Sequence, residues 1–100
     1  MPYRGRVESN LFKSNNDTSD MTVHEVKILP IYFEPVLKGI KTFEIRKNDR
    51  GYHVGDSILL KEWEGGHYSG REALFDITYL LENYEAIPKD YVIMSIVPHR

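Results

Sequence analysis

Cysteine is absent from all 100 residues. Its absence excludes a disulfide framework, a thiolate zinc site and a cysteine nucleophile, and with nothing that needs an oxidising compartment the expected location is the cytoplasm. No run approaches the roughly 18 consecutive apolar residues of a membrane span, and the first residues lack the apolar centre of a signal peptide. The chain is therefore expected to be non-secreted and to have no membrane partner. An excess of one charge is missing too. Thirteen Lys and Arg face 15 Asp and Glu, for a net charge of −2, which excludes the simplest nucleic-acid binder, a uniformly basic module. The four histidines, His24, His53, His67 and His99, have no compact ligand spacing, so neither a metal nor a cofactor is expected.

What is present suffices for one core. Hydrophobic residues make up 41% of the chain and aromatics 12%, enough for a single small domain. Residues 1–20 stand apart, because Lys13 to Asp20 contains no apolar side chain and consists of turn and cap formers. Such a stretch cannot bury enough surface to offset its ordering entropy. It is read as a flexible leader to a domain spanning 21–100, with Met21 an alternative start.

From Val23 to Leu29 a short strand is expected, ended by Pro30. Ile31, Tyr32, Phe33, Val36 and Leu37 then recur at helical spacing, with Gly39 as the cap. Pro35 removes one helical hydrogen bond, so the regular part is expected to start late and to run about two turns. Lys41 to Lys47 alternates with period two, and the apolar members Phe43 and Ile45 are expected to face the core. After turn chemistry at Asn48–Gly51 and Val54–Asp56, strands are expected over Ser57–Glu64, from about Arg71 to Leu81, and from Tyr91 to Val97, with Gly65-Gly66 as a hairpin turn. Five strands with short connections and one helix predict a mainly β (α+β) domain. The expected architecture is a small barrel of five to six strands, mostly antiparallel, with the helix between the first two, and a monomer.

The overall charge hides an asymmetry. Between residues 38 and 50, Lys38, Lys41, Arg46, Lys47 and Arg50 outnumber Glu44 and Asp49, giving +3, whereas residues 51–100 carry four cations against eight anions, giving −4. A lysine-rich edge strand that discourages aggregation would look the same. Glu44 favours a site instead. It shares strand parity with Arg46, so the carboxylate can fix the guanidinium and the pair can offer an acceptor beside a donor. A pure phosphate gripper gains nothing from that glutamate, whereas a base-recognition pocket or an acid–base site does. Lys41 has the opposite parity and joins them only if the strand begins after it. Trp63 is expected to pack across strands, while Tyr68, Ser69 and Arg71 are candidates for the rim of such a site.

The run Gly39-Ile40-Lys41-Thr42-Phe43-Glu44-Ile45-Arg46 has the form G-x-K-x-x-E-x-R and resembles the signature of ASCH domains (activating signal cointegrator homology) in the PUA-like superfamily. The run on to Arg50, the Val54-Gly55-Asp56 turn, Tyr68-Ser69-Gly70-Arg71 and the closing Tyr91 to Ile96 resemble a small bacterial and phage branch of that group, of unknown function. The resemblance spans His24 to Val97. It implies a PUA-like barrel with a ligand cleft between helix and barrel, lined by Lys41, Glu44 and Arg46, and RNA or a nucleotide as partner. Lys47, Asn48, Arg50 and Arg71 complete the expected binding set. The alternative is a metal-independent hydrolase of RNA or of a modified nucleoside, with Lys41 and Glu44 as its catalytic pair. One branch resembles amidohydrolases of acetylated cytidine, but Glu44 stands here where that branch has its threonine. A protein-interaction domain that has lost its ligand is the third reading.

Overall fold

Alternation of side chains explains most of the architecture, and at one strand it is the polar set that points inward. In a computed structural model, which describes residues 21–100, the chain runs β1 (Val23–Ile28), α1 (Pro30–Leu37), β2 (Phe43–Lys47), β3 (Ser57–Glu64), β4 (His67–Glu82) and β5 (Tyr91–Pro98). The leader expected over residues 1–20 lies outside the described residues. Strand β1 buries every second residue, His24, Val26 and Ile28. Ile58, Leu60, Ile77, Val92, Met94 and Ile96 supply the same face from β3, β4 and β5, and Phe33 and Val36 of α1 pack onto it. Tyr52, on the loop after β2, also belongs to this core.

The strands form one sheet in the order β1-β3-β4-β5-β2, curled into a half-barrel. Three of the four pairings are antiparallel; short connections account for β3 with β4 and β4 with β5, whereas β2 reaches β5 across the length of two strands. The exception is β1, which lies parallel to β3, Val23 opposite Ser57 and Ile28 opposite Glu62. Helix, β2 and the following loop together make up the long crossover that a parallel pair demands. The outer edges of β1 and β2 have no sheet partner among the described residues. Gly65 and Gly66 both adopt positive φ, +66° and +87°, the conformation that lets a two-residue turn follow strand twist. Strand β4 consequently starts at His67 rather than near Arg71.

Helix α1 begins at Pro30, with Leu29 as its N-cap residue, and not late. Proline in the first turn lacks only an N–H that would have no helical partner, and its fixed φ already suits a helix. Pro35 lies within the helix, whose eight residues make about two turns.

Candidate functional site

Three local devices bring the signature residues together. At the end of α1 the Gly39 N–H donates to the Val36 carbonyl (3.1 Å) and the Ile40 N–H to the Pro35 carbonyl (2.9 Å). This is the Schellman arrangement, and it needs the left-handed φ of +75° that Gly39 provides. The chain leaves the helix with the Lys41 N–H also donating to Pro35 (3.0 Å). Lys41 is thus held against the helix end, and β2 starts two residues later.

The second device is the inverted face of β2. Phe43 and Ile45, expected in the core, are 42% and 50% exposed, while Glu44 is only 3% exposed. The reason is positional: β2 is an edge strand, hydrogen-bonded to β5 alone. Its inward residues meet the helix exit and not an apolar layer. A carboxylate in the buried register is tolerable only with its charge compensated.

That compensation is the third device. Lys41 Nζ donates to Glu44 Oε2 at 2.5 Å and to the Phe43 carbonyl at 2.7 Å. Arg46 approaches Glu44 Oε1 through Nε at 3.0 Å and Nη2 at 2.8 Å. The opposite parity of Lys41 is no obstacle, because it reaches the carboxylate from the loop. Counting donors and lone pairs, one N–H remains on Lys41, the Nη1 group and one Nη2 N–H on Arg46, and one lone pair on Glu44 Oε2. The cluster therefore offers donors beside an acceptor.

These three residues line a hollow of about 480 Å³, together with Lys27, Ile28 and Leu29 from the end of β1, Tyr32 from α1, and Phe43 and Ile45. Lys41 Nζ lies 4.9 Å from the centre of the Phe43 ring and 5.9 Å from that of Tyr32, distances at which a cation is attracted to an aromatic face. Lys27, Leu29 and Tyr32 were not among the residues singled out from the sequence. Tyr32 looks like one more member of an apolar helix stripe, and nothing in its spacing separates it from Phe33.

The remaining candidates are distributed elsewhere. Lys47 and Arg50 line a second hollow of about 380 Å³, with Glu25, Val26, Lys27, Arg46, Asp49, Tyr52 and Tyr68. Asn48 accepts from the Tyr52 N–H (3.3 Å) and donates to Glu82 (3.4 Å), lining a separate depression around the β4–β5 loop. Arg71 lies away from the cleft. Its Nε and Nη2 bind the buried Glu62 at 3.0 and 2.8 Å, and Nη2 also reaches Glu34 of α1 at 2.6 Å. The register slip between Lys61 and Trp63, with Gly70 at φ +100°, places Ser69 on the same carboxylate (2.6 Å). Hydrogen bonds from Arg71 and then Ser69 draw the Glu62 carboxyl down to about 2. Arg71 ties the helix to the sheet. Trp63 packs edge-on against Tyr68, ring centres 4.9 Å apart.

The Val54-Gly55-Asp56 turn is likewise structural. It presents Asp56, whose Oδ2 meets His24 Nε2 at 2.9 Å and accepts from the His53 N–H at 3.1 Å. His24 and Asp56 are both buried. No group of three or more metal-ligating side chains converges among the described residues, and no described helix is long and apolar enough to cross a membrane.

Known proteins match most of this chain. An uncharacterized 12.9 kDa protein from the GpA 3′ region of Escherichia phage P2 is 41% identical over 75 residues, covering 72% of this chain and 65% of the phage protein. The chain thus spans a little under two-thirds of that relative. The model of a domain of unknown function, DUF3850, matches residues 23–96, which run from the first residue of β1 to within two residues of the end of β5 and include every residue of the Lys41, Glu44 and Arg46 cluster. The chain belongs to the DUF3850 family.

Proposed function

We propose that the hollow at the helix exit binds a nucleotide or the end of a short single-stranded RNA, as an ASCH-like, PUA-like cleft would. The observation that carries this reading is the buried Glu44 carboxylate, gripped by Lys41 and Arg46 beside the exposed rings of Tyr32 and Phe43. A nucleobase needs flat apolar faces together with an in-plane donor and acceptor, and its phosphate needs cations. The spare lone pair of Glu44 suits a base amino group, while the free donors of Lys41 and Arg46 suit a carbonyl or phosphate oxygen.

The test is a titration of labelled RNA oligomers and mononucleotides against wild type, Glu44→Ala and Glu44→Gln at low salt. Wild type should bind at least one of them, and both variants should weaken it tenfold or more, with thermal melts reporting that each is folded. Affinities that do not distinguish the three proteins, or no binding by wild type, overturn the reading. The close contact between Lys41 and Glu44 favours a second reading, hydrolysis by water, in which the Glu44 carboxylate takes a proton from the attacking water and returns it to the leaving group while Lys41 stabilises the negative charge that develops. Product formed from RNA or acylated cytidine by wild type and not by Lys41→Ala would establish a hydrolase instead.

A further inference from the structure

The two hollows share Lys27 and Arg46, so they form one trough along the open seam between the free edges of β1 and β2. From Glu25 to Leu29 the β1 wall extends about 13 Å at the usual strand rise. Lys27 from β1 and Arg46 from β2 stand where the two hollows meet, and beyond them the walls carry Lys47 from β2 and Arg50 from the loop that follows. Besides Glu44, two carboxylates line the trough. Glu25 is engaged by Lys61 at 3.2 Å, and Asp49 lies 3.9 Å from Arg50.

The cations are incompletely neutralised. Among the described residues Lys47 has no carboxylate partner, and Lys27 has its ammonium 3.8 Å from the centre of the Trp63 ring instead of on an acid. Arg46 grips Glu44 by one edge, leaving Nη1 unengaged by the protein. Tyr68, 46% exposed, adds an aromatic face to the second hollow. Unneutralised cations on both walls of an open trough, continuous with a cleft that offers a donor–acceptor set, fit a ligand with charge repeated along its length.

We propose that this seam carries the phosphodiester backbone of a short single-stranded oligonucleotide, with one base in the cleft at the helix exit and neighbouring phosphates against Lys27, Lys47 and Arg50. This deepens the reading of the cleft as a nucleotide site and rests on it. A duplex is disfavoured, since the net −4 of residues 51–100 would repel a wide polyanionic footprint.

The experiment compares uridine monophosphate, a trinucleotide and a hexanucleotide of uridine, a hexanucleotide of thymidine, and a duplex hexanucleotide, each titrated at two salt concentrations. Wild type, the double variant Lys47→Ala/Arg50→Ala and Arg46→Ala are used. Wild type should bind the single-stranded hexanucleotides at least tenfold tighter than the mononucleotide, with a salt slope steeper by about 0.7 for each extra phosphate neutralised. The two sugars separate RNA from DNA as the source of the backbone. The double variant should lose most of the gain with length and flatten the slope, whereas Arg46→Ala should weaken every length. No gain with length, a gain that survives the double substitution, or tighter binding of the duplex overturns the seam proposal and leaves the nucleotide cleft standing. No binding of any probe by wild type overturns both.

Discussion

Two buried glutamates with the same kind of partner differ in what surrounds them. Glu44 and Glu62 each accept from an arginine in the buried register of a strand, but Glu62 is enclosed by Arg71, Ser69 and, through Arg71, Glu34. Glu44 lines an open hollow with donors to spare. The first arrangement closes on itself and the second invites a ligand. For Glu62 the consequence is a pH dependence. Its folded carboxyl titrates at about 2, lowered from 4.5 mainly by Arg71, so its contribution to stability is present above the unfolded value and is lost as pH falls from 4.5 through 2. Urea midpoints measured across that range should drop more steeply for wild type than for Glu62→Gln. Equal slopes would show that the clamp adds nothing to acid stability. The sequence pattern could not separate the two glutamates. The parity of Glu44 with Arg46 was readable, but the partner of Glu62 lies across a bulged hairpin, and Arg71 therefore read as a free cation at a cleft rim.

At the scale of elements, strand β3 falls where its alternation and flanking turn residues put it, because its inner face meets the apolar layer. Strand β2 reverses that logic. Period two correctly grouped Phe43 with Ile45 and Glu44 with Arg46, yet which set points inward depends on what lies opposite, and an edge strand beside a helix exit has no apolar layer there. Local pattern and global fold disagree at the very strand that carries the candidate site, as is common where residues are placed for binding. The helix exit has its own test. Gly39→Ala must hold an L side chain at φ +75° with open space around the new Cβ, so strain alone is added, about 1 kcal/mol. Gly39→Asn should lose less, since asparagine tolerates this conformation better. Both can be read from chemical unfolding midpoints. A neutral Gly39→Ala would mean that the Schellman turn does not govern how the chain delivers Lys41.

For the whole molecule, a net charge of −2 describes no surface that a ligand would meet. Four of the five cations between Lys38 and Arg50, namely Lys41, Arg46, Lys47 and Arg50, line the two hollows beside β1 and β2, and most of the excess acid lies in β3, β4 and the loops beyond. Composition therefore excluded a broad basic face while leaving room for a narrow one. The helix between the first two strands and the antiparallel run of β3, β4 and β5 were readable because each depends on short-range signals. The parallel placement of β1 beside β3, and hence the open seam, was not, because it depends on a crossover that no local pattern encodes.

That topology also orders the assembly of the molecule. Strands β3, β4 and β5 pair with their neighbours in sequence, whereas β1 and β2 must close long loops to find β3 and β5, and such pairings form late because loop-closure entropy is lost before contacts compensate it. Amides of β1 and β2 should therefore exchange with deuterated solvent faster than those at the centre of the sheet, and uniform protection across all five strands would contradict this ordering. On this ordering the candidate site draws two of its walls from the strands expected to dock last and detach first. A ligand lying across both would act as a late fastening, slowing exchange at the margins of the sheet while leaving its centre unchanged.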